Sequence, residues 1–325
     1  LKQDSSSGYA ALRQAAAIVE RTTGRLLVRG ADRRAYLQGL LTNDIAALEP
    51  GTGCYAAMLT AQGRMITDMR VLELGDAIFM DLPLERTGAI KDHLERFVFA
   101  EDVQIEDVTE TRAEIGVYGP GALDLLGEVV DGALPSSIHA SAQVRVGGVD
   151  ATAVASADCG AVGYDLIFDA ASRDQTLDAL TQAGAVRATA EDVEAIRVER
   201  GRPLFGVDMD TETIPLEAGI EDRAISRTKG CYVGQEVIVR VLDRGHGRVA
   251  RRLVGLALDA EAAVPLRGAP IEAGGRELGH VTSAVRSPEL GRPIAMGYVH
   301  RDAASTGTVV TVGGVPATVT RLPFI

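Results

Sequence analysis

The sequence predicts an α+β protein that ends in a small, separate β-barrel or sandwich. Three observations carry that expectation. Strand-like and helix-like runs mix over the first 250 residues without the regular strand–helix–strand spacing of a parallel sheet. From about Arg251 the helical period disappears, and short apolar runs alternate with turns such as Gly274-Gly275, Gly291-Arg292-Pro293 and Gly313-Gly314. A length of 325 residues, 46% apolar and 24% charged, suits about two globular domains and excludes a disordered, collagenous or fibrous chain.

The elements follow in order. Residues 1 to about 15, carrying Ser5-Ser6-Ser7-Gly8, read as a frayed terminus. Residues 25–29 suit a strand, and Asp32 then precedes a helical pattern with Tyr36, Leu37, Leu40 and Leu41 on one side, ending near Asn43. Residues 54–60 and 65–74 read as strands joined by Ala61-Gln62-Gly63-Arg64, and Leu74-Gly75-Asp76 turns into a third over 77–81. Ile90, Leu94 and Phe97, at i, i+4 and i+7, mark a helix with Asp92, Glu95 and Arg96 facing water. Val103, Ile105 and Val108 suggest a strand, and residues 115–118 lead through Gly119-Pro120 into a helix around 122–130. Segment 132–160, rich in Ala, Ser and Gly, reads as a surface excursion. A strand over 164–168 and a helix over 172–182, stopped by Gly184, come next. Runs at 253–258, 280–285, 295–299, 308–312 and 317–322 are the strands of the last domain, and no repeat at a solenoid period appears.

Charge and composition exclude several functions. The net charge is −12 and the pI near 5.0, whereas neutralising phosphates needs a basic face, so generic nucleic-acid or anionic-membrane binding is not expected. Aromatics are 4% with no Trp, leaving few stacking platforms for single strands. Apolar stretches fall short of the ~20 residues of a membrane span, and the polar start lacks a signal core. Cys54, Cys159 and Cys231 form no CxxC pair and no disulfide framework, so a reducing cytoplasm is the expected compartment.

Chemistry concentrates between residues 197 and 240. Thr189 and Asp192 form a weak capping box for a helix that Gly201 and Pro203 terminate, which puts Glu199 in its last turn. Glu199 reads either as a solvated surface glutamate or as a carboxylate that accepts two parallel N–H donors from a planar heterocycle. Thirty residues on, Lys229-Gly230-Cys231-Tyr232-Val233-Gly234-Gln235-Glu236 precedes an apolar run. If Gly234 opens a helix, Cys231 lies at its positive end with Lys229 and Arg227 nearby, a setting that favours the thiolate; the alternative is a buried small hydrophobe. A third candidate is Asp68, an Asp inside a strand pattern, which either faces a pocket and pairs with a substrate amine or bridges to Arg64 or Arg70. The five histidines have no metal spacing, and Asp208-Met209-Asp210 is only a fragment of a calcium loop.

The stretch from Lys229 to Glu236 resembles the K-G-C-[FY]-x-G-Q-E signature of YgfZ-type folate-binding proteins, which are implicated in iron–sulfur cluster assembly and repair. These sit within the wider family of the glycine cleavage T protein (aminomethyltransferase). Four other blocks carry the likeness: Gly30-Ala31-Asp32 through Leu37-Gln38-Gly39-Leu40-Leu41-Thr42-Asn43-Asp44-Ile45; Arg197-Val198-Glu199-Arg200-Gly201; Ile214-Pro215-Leu216-Glu217-Ala218-Gly219; and, near the C-terminus, Gly279-His280-Val281-Thr282-Ser283 with Ile294-Ala295-Met296-Gly297-Tyr298-Val299.

The resemblance implies a three-domain ring: two intertwined α+β domains over residues 16–250 and a C-terminal β-barrel over 251–325, with tetrahydrofolate in the central hole. It implies that Glu199 holds the pterin edge, with Tyr232, Gln235 and Arg227 as further folate contacts. Cys231, with Lys229 beside it, matches the reactive cysteine of the YgfZ branch. True T proteins carry adjacent aspartates where Thr67 and Asp68 stand here, and they lack the loop cysteine. The reading this favours is a tetrahydrofolate-binding accessory protein for iron–sulfur proteins, with folate and iron–sulfur assembly or client proteins as partners. The alternative is a folate-dependent aminomethyltransferase in which Asp68 serves the one-carbon transfer.

Overall fold

The computed structural model describes residues 7–244 and 248–325, and two antiparallel-rich sheets and one closed barrel organise them. The first sheet has five strands, in the order Thr52–Leu59, Met65–Glu73, Ile78–Pro83, Thr23–Arg29 and Gln104–Asp107. The second has seven, in the order Val186–Arg187, Ala17–Glu20, Arg112–Tyr118, Gly163–Asp169, Val149–Ser156, Ser141–Val146 and Val130–Asp131. Ala17–Glu20 belongs to the second sheet, yet it precedes every strand of the first, so the two α+β domains are interleaved in the chain. The barrel closes with six strands, from Arg251–Leu258 to Val315–Thr320, each end of the sheet finding a partner so that no edge is left open. This is the α+β architecture with a C-terminal barrel that the sequence led us to expect.

Two segments differ from expectation. Residues 132–160 are not a surface excursion: Ser141–Val146 and Val149–Ser156 form a hairpin whose Val144, Val146, Val149, Ala151 and Ala153 lie in the core with Leu166, Phe168 and Leu177. Its connection is Gly147-Gly148, both at positive φ (55° and 85°), the backbone that a tight two-residue hairpin requires. Small Ala and Thr side chains hide the alternation of the second strand from a hydropathy reading. The N-terminal segment is not frayed over the residues described, because Ser7–Gln14 is a helix with Tyr9, Ala11 and Leu12 buried. Residues 1–6 of that expectation, and His246 among the histidines, lie outside the described residues.

The sheets meet across Leu72 and Phe79 on one side and Val154 and Ile167 on the other. Beside this apolar seam lies a buried ionic one. Arg70 donates to Asp81 of its own sheet (2.6 Å) and to Glu114 (2.7 Å) and Asp165 of the other sheet. Tyr118 also donates to Asp165 (2.6 Å). Removing one member would leave an unpaired buried charge, a loss of about 3–5 kcal/mol, so this network fixes how the domains sit together.

Candidate functional site

Asp68 lies in Met65–Glu73, where strand alternation turns neighbouring Thr67 to the opposite face; both are buried. The strand alongside, Thr52–Leu59, pairs Ala57 with Asp68 and Tyr55 with Arg70, so Tyr55 stands on the face that carries Asp68. The Tyr55 hydroxyl donates to Asp68 Oδ2 at 2.5 Å. The Arg223 guanidinium stacks 4.2 Å above the Tyr55 ring. Burial pushes the Asp68 carboxyl up to about 6, against the Tyr55 hydrogen bond and the Arg223 charge, which both pull it down. Asp68 therefore pairs with neither Arg64, which is bound to Glu212, nor Arg70, which is held in the ionic seam.

The chain just after the helix Arg33–Leu40 fastens this group in place. The Asn43 side-chain amide donates to the carbonyls of Tyr55 (2.8 Å) and Arg223 (3.1 Å), setting the backbones of both relative to one another. Thr42 donates to Ala224 O (2.6 Å) and accepts from Ala57 N (2.8 Å). Lys229 Nζ donates to the carbonyls of Gln38 (2.7 Å), Leu41 (2.6 Å) and Asn43 (2.8 Å). Three ammonium protons meet three carbonyls at a helix C-terminus, where such groups otherwise lack partners. Burial lowers the Lys229 pKa to about 8. The expectation that Lys229 activates Cys231 is corrected accordingly: its donors are spent on the backbone that holds Asn43.

A cavity of about 960 Å³ opens between the loops of the second α+β domain, the segment 200–223 and the barrel. Arg13, Arg200, Arg202, Arg223, Arg252 and Arg321 line it, and no Asp, Glu or Lys does. In a chain of net charge −12 that is a strong local reversal. Arg200 donates to the Ile325 carbonyl (2.9 Å), and Arg13 is 3.5 Å from Glu289. Among the described residues, Arg202 and Arg223 have no carboxylate partner. Burial and the Arg223 charge both lower the Arg202 pKa, and the Asp158 charge opposes them.

Glu199 sits elsewhere. Its carboxylate is fully buried and accepts from the Tyr9 hydroxyl (2.9 Å to each oxygen) and from Ser287 Oγ. Arg200 and Gly201 line the cavity, but Glu199 does not. Its donors are protein hydroxyls, where the sequence offered either a solvated carboxylate or the N–H groups of a heterocycle. It joins the N-terminal helix, the helix Ala190–Glu199 and the barrel strand Arg276–Ser287. That helix begins with the capping box expected of Thr189 and Asp192 and is followed by Gly201 at φ 59°.

The loop after Lys229 also departs from the sequence reading. Cys231 is exposed and does not line the cavity. Gly234, at φ 85°, does open the helix Gln235–Val239, which is only five residues long. Tyr232 is buried in the core beside Leu59 and Tyr55, 5.1 Å from Lys229 Nζ. Gln235 starts the short helix half-buried, and exposed Arg227 pairs with Asp222 (3.0 Å). Cys54 and Cys159 are packing residues, both thiols pushed up to about 12 by burial. Among the described residues no group of three His, Cys, Asp or Glu side chains is placed to hold a metal. Tyr55, Arg223, Asn43 and Arg202 went unnoticed as site residues; only Asn43 carried a signal, inside the block Leu41-Thr42-Asn43-Asp44.

Residues 2–229 match the GCVT N-terminal domain, and residues 251–325 match the glycine cleavage T-protein C-terminal barrel domain. An aminomethyltransferase of Rubrobacter xylanophilus is 31% identical over 303 residues, 93% of this chain and 80% of the relative. Aminomethyltransferases of Streptomyces avermitilis and Thermus thermophilus are each 30% identical, over 93% of this chain and 84% of their own length. Among solved structures, the glycine cleavage system aminomethyltransferase T of Bartonella henselae superposes with a TM-score of 0.86 at 22% identity, covering 98% of this chain and 88% of that one. That superposition bears on the fold. The sequence relatives correct the functional expectation: their name is that of the transferase, and the accessory role in iron–sulfur assembly or repair is withdrawn.

Proposed function

The chain belongs to the glycine cleavage T-protein family, and from that premise we propose that it is a folate-dependent aminomethyltransferase. One observation carries the reading: a buried carboxyl with a pKa near 6, held by Tyr55 and Arg223, where Arg223 also lines an arginine-rich cavity. The site fits tetrahydrofolate by its own chemistry. Among the described residues Arg202 and Arg223 have no carboxylate within ion-pair distance, and the carboxylates of a folate tail would supply one. The volume, about 960 Å³, suits a ligand of that size.

Tetrahydrofolate, when bound, supplies the secondary amine that takes up the one-carbon unit. Asp68 is the residue we assign to the reacting centre; neither it nor Tyr55 lines the cavity, and Arg223 is the member of the group that reaches the wall. Above about pH 6 it is mostly ionised, and a carboxylate in a site of few water contacts stabilises positive charge that develops on a nearby amine. Below that pH it holds a proton and can give it up. Tyr55 fixes the orientation of Asp68, and Arg223, stacked on Tyr55, connects that pair to the cavity. Asn43, held through Lys229, keeps Tyr55 and Arg223 in register.

The experiment is a transfer assay with an aminomethylated lipoyl carrier protein and tetrahydrofolate, following methylene-tetrahydrofolate and ammonia. The wild-type chain forms both products, and Asp68→Asn lowers turnover at least ~100-fold, the usual cost of losing an acid–base or charge-stabilising group. Wild-type protein that binds tetrahydrofolate but yields neither product would sink the reading.

A further inference from the structure

The ionic seam between the domains holds one acid too many. Its guanidiniums are Arg21, Arg25 and Arg70, and Asp81, Glu114 and Asp165 contact one or more of them within 4 Å. Three guanidiniums face three carboxyls, one of which, Glu114, burial and the Asp81 charge push up to about 7. Asp158 is the fourth carboxylate, 3.7 Å from Nη1 of Arg70; that nitrogen donates to Asp165, and Nη2 of the same side chain donates to Asp81 and Glu114. Its side chain is 20% exposed, whereas those of the other three are at most 4% exposed.

Its position in the chain explains the difference. Asp158 follows the strand Val149–Ser156 in a tight turn, where its own N–H donates to Ser156 Oγ (3.3 Å) and Gly160 N donates to Ala157 O (3.0 Å). Ala157 and Gly160, on either side, line the arginine cavity. Asp158 therefore stands between the seam, where the hydrogen bonds of Arg70 go to three nearer acids, and the cavity wall, where Arg202 and Arg223 have no carboxylate within ion-pair distance among the described residues. Arg70 is the cross-strand neighbour of Tyr55, and Tyr55 holds Asp68.

We propose that Asp158 is a second acid of the transfer site, a positioning residue that acts through Asp68 and through the arginine pair Arg202 and Arg223. The proposal rests on the aminomethyltransferase reading. Thr67, where the sequence led us to look for a second aspartate, points away from Asp68; the second carboxylate arrives instead from the other domain. The field is consistent with this. The Asp158 charge raises Asp68 and Arg202, and it acts on Tyr55 and His139 as well. The groups that face Asp68 are Tyr55 from the neighbouring strand, Arg223 from the helix Glu221–Ala224, and Asp158 from this turn. Those around Asp158 are Arg70, Arg202, Asp165, Tyr118, His139 and Cys159.

A like charge disfavours ionisation of its neighbour, so removing it lowers the pH at which Asp68 titrates. The test is the pH profile of kcat in the transfer assay for wild type, Asp158→Asn, Asp158→Ser and Asp158→Glu. Both neutral variants should move the acid limb down by about half a pH unit or more, and Asp158→Glu should restore it. The exposure of the side chain favours folding of at least one neutral variant, and either alone decides the matter. An active wild type whose acid limb is unmoved in the folded neutral variants overturns the role of Asp158 and leaves the transferase reading standing. An inactive wild type overturns both.

Discussion

If burial holds the Asp68 carboxyl near 6, the protein is less stable at neutral pH than it would be without that charge. Asp68→Asn removes the charge while keeping the shape and an acceptor for Tyr55. The magnitude follows from the pKa. Burial raises it from 3.8 to about 6, and at about 1.36 kcal/mol for each pH unit that amounts to about 3 kcal/mol lost above pH 6. The Tyr55 hydrogen bond and the Arg223 charge already act within that pKa, so the neutral variant should gain the full amount, about 3 kcal/mol above pH 6. The sign is set by linkage. A carboxyl whose folded-state pKa is raised contributes its stability fully below 3.8 and loses it as pH rises through about 6. The advantage of Asp68→Asn should therefore be small near pH 4, grow between about pH 4 and 6, and level off above. Urea unfolding of both proteins across that range measures it. A gap that does not change with pH, or a variant less stable than wild type at neutral pH, would refute the reasoning. Turnover should fall in the same variant, so function and stability move in opposite directions at one residue.

Three further outcomes follow from the geometry. Lys229→Met strands three buried carbonyls and should lower unfolding stability by about 3 kcal/mol in urea titrations, with tetrahydrofolate affinity falling too because Asn43 loses its support. Arg202→Gln removes an unpartnered cation from the cavity, so calorimetry should find tetrahydrofolate bound about tenfold more weakly, with a shallower salt dependence than wild type. Glu199→Gln should cost about 1–2 kcal/mol of stability and leave tetrahydrofolate affinity within about twofold, because its partners are Tyr9 and Ser287; a large loss of affinity with intact stability would restore the folate role to Glu199.

The parts of the fold that sequence reveals are those where one local cause acts alone. Ile90 and Leu94 lie on one buried face of Thr87–Glu95 as the helical period predicts, whereas Phe97, expected to continue that face, follows the end of the helix and is exposed. The capping box at Thr189 and the glycine stop at Gly201 are set within a few residues. The hairpin at Gly147-Gly148 was obscured because Ala151 and Ala153 are small enough to pass for loop residues, and only packing against Leu166 and Phe168 makes them core. The interleaving of the sheets depends on pairings such as Ala17 with Tyr118, more than 100 positions apart, which no window along the chain can register.

The site is harder for a different reason: the residue types that recognise a ligand are those that satisfy a buried backbone or a buried hydroxyl. Glu199 and Lys229 were legible as important, and the structure makes both important. It gives their bonds to Tyr9, Ser287 and three main-chain carbonyls, and whether a partner is internal or bound is not written in the identity of the residue. What separates the two cases is charge left over after the internal partners are counted. Glu199 and Lys229 have their bonds filled from within the chain. Arg202 and Arg223 have no carboxylate within ion-pair distance among the described residues, and Asp158 stands fourth at an arginine whose hydrogen bonds go to three nearer acids. That surplus, positive on the cavity wall and negative just behind it, is why we place recognition and transfer at Asp68, Arg202 and Arg223 and not at the motif loop around Cys231.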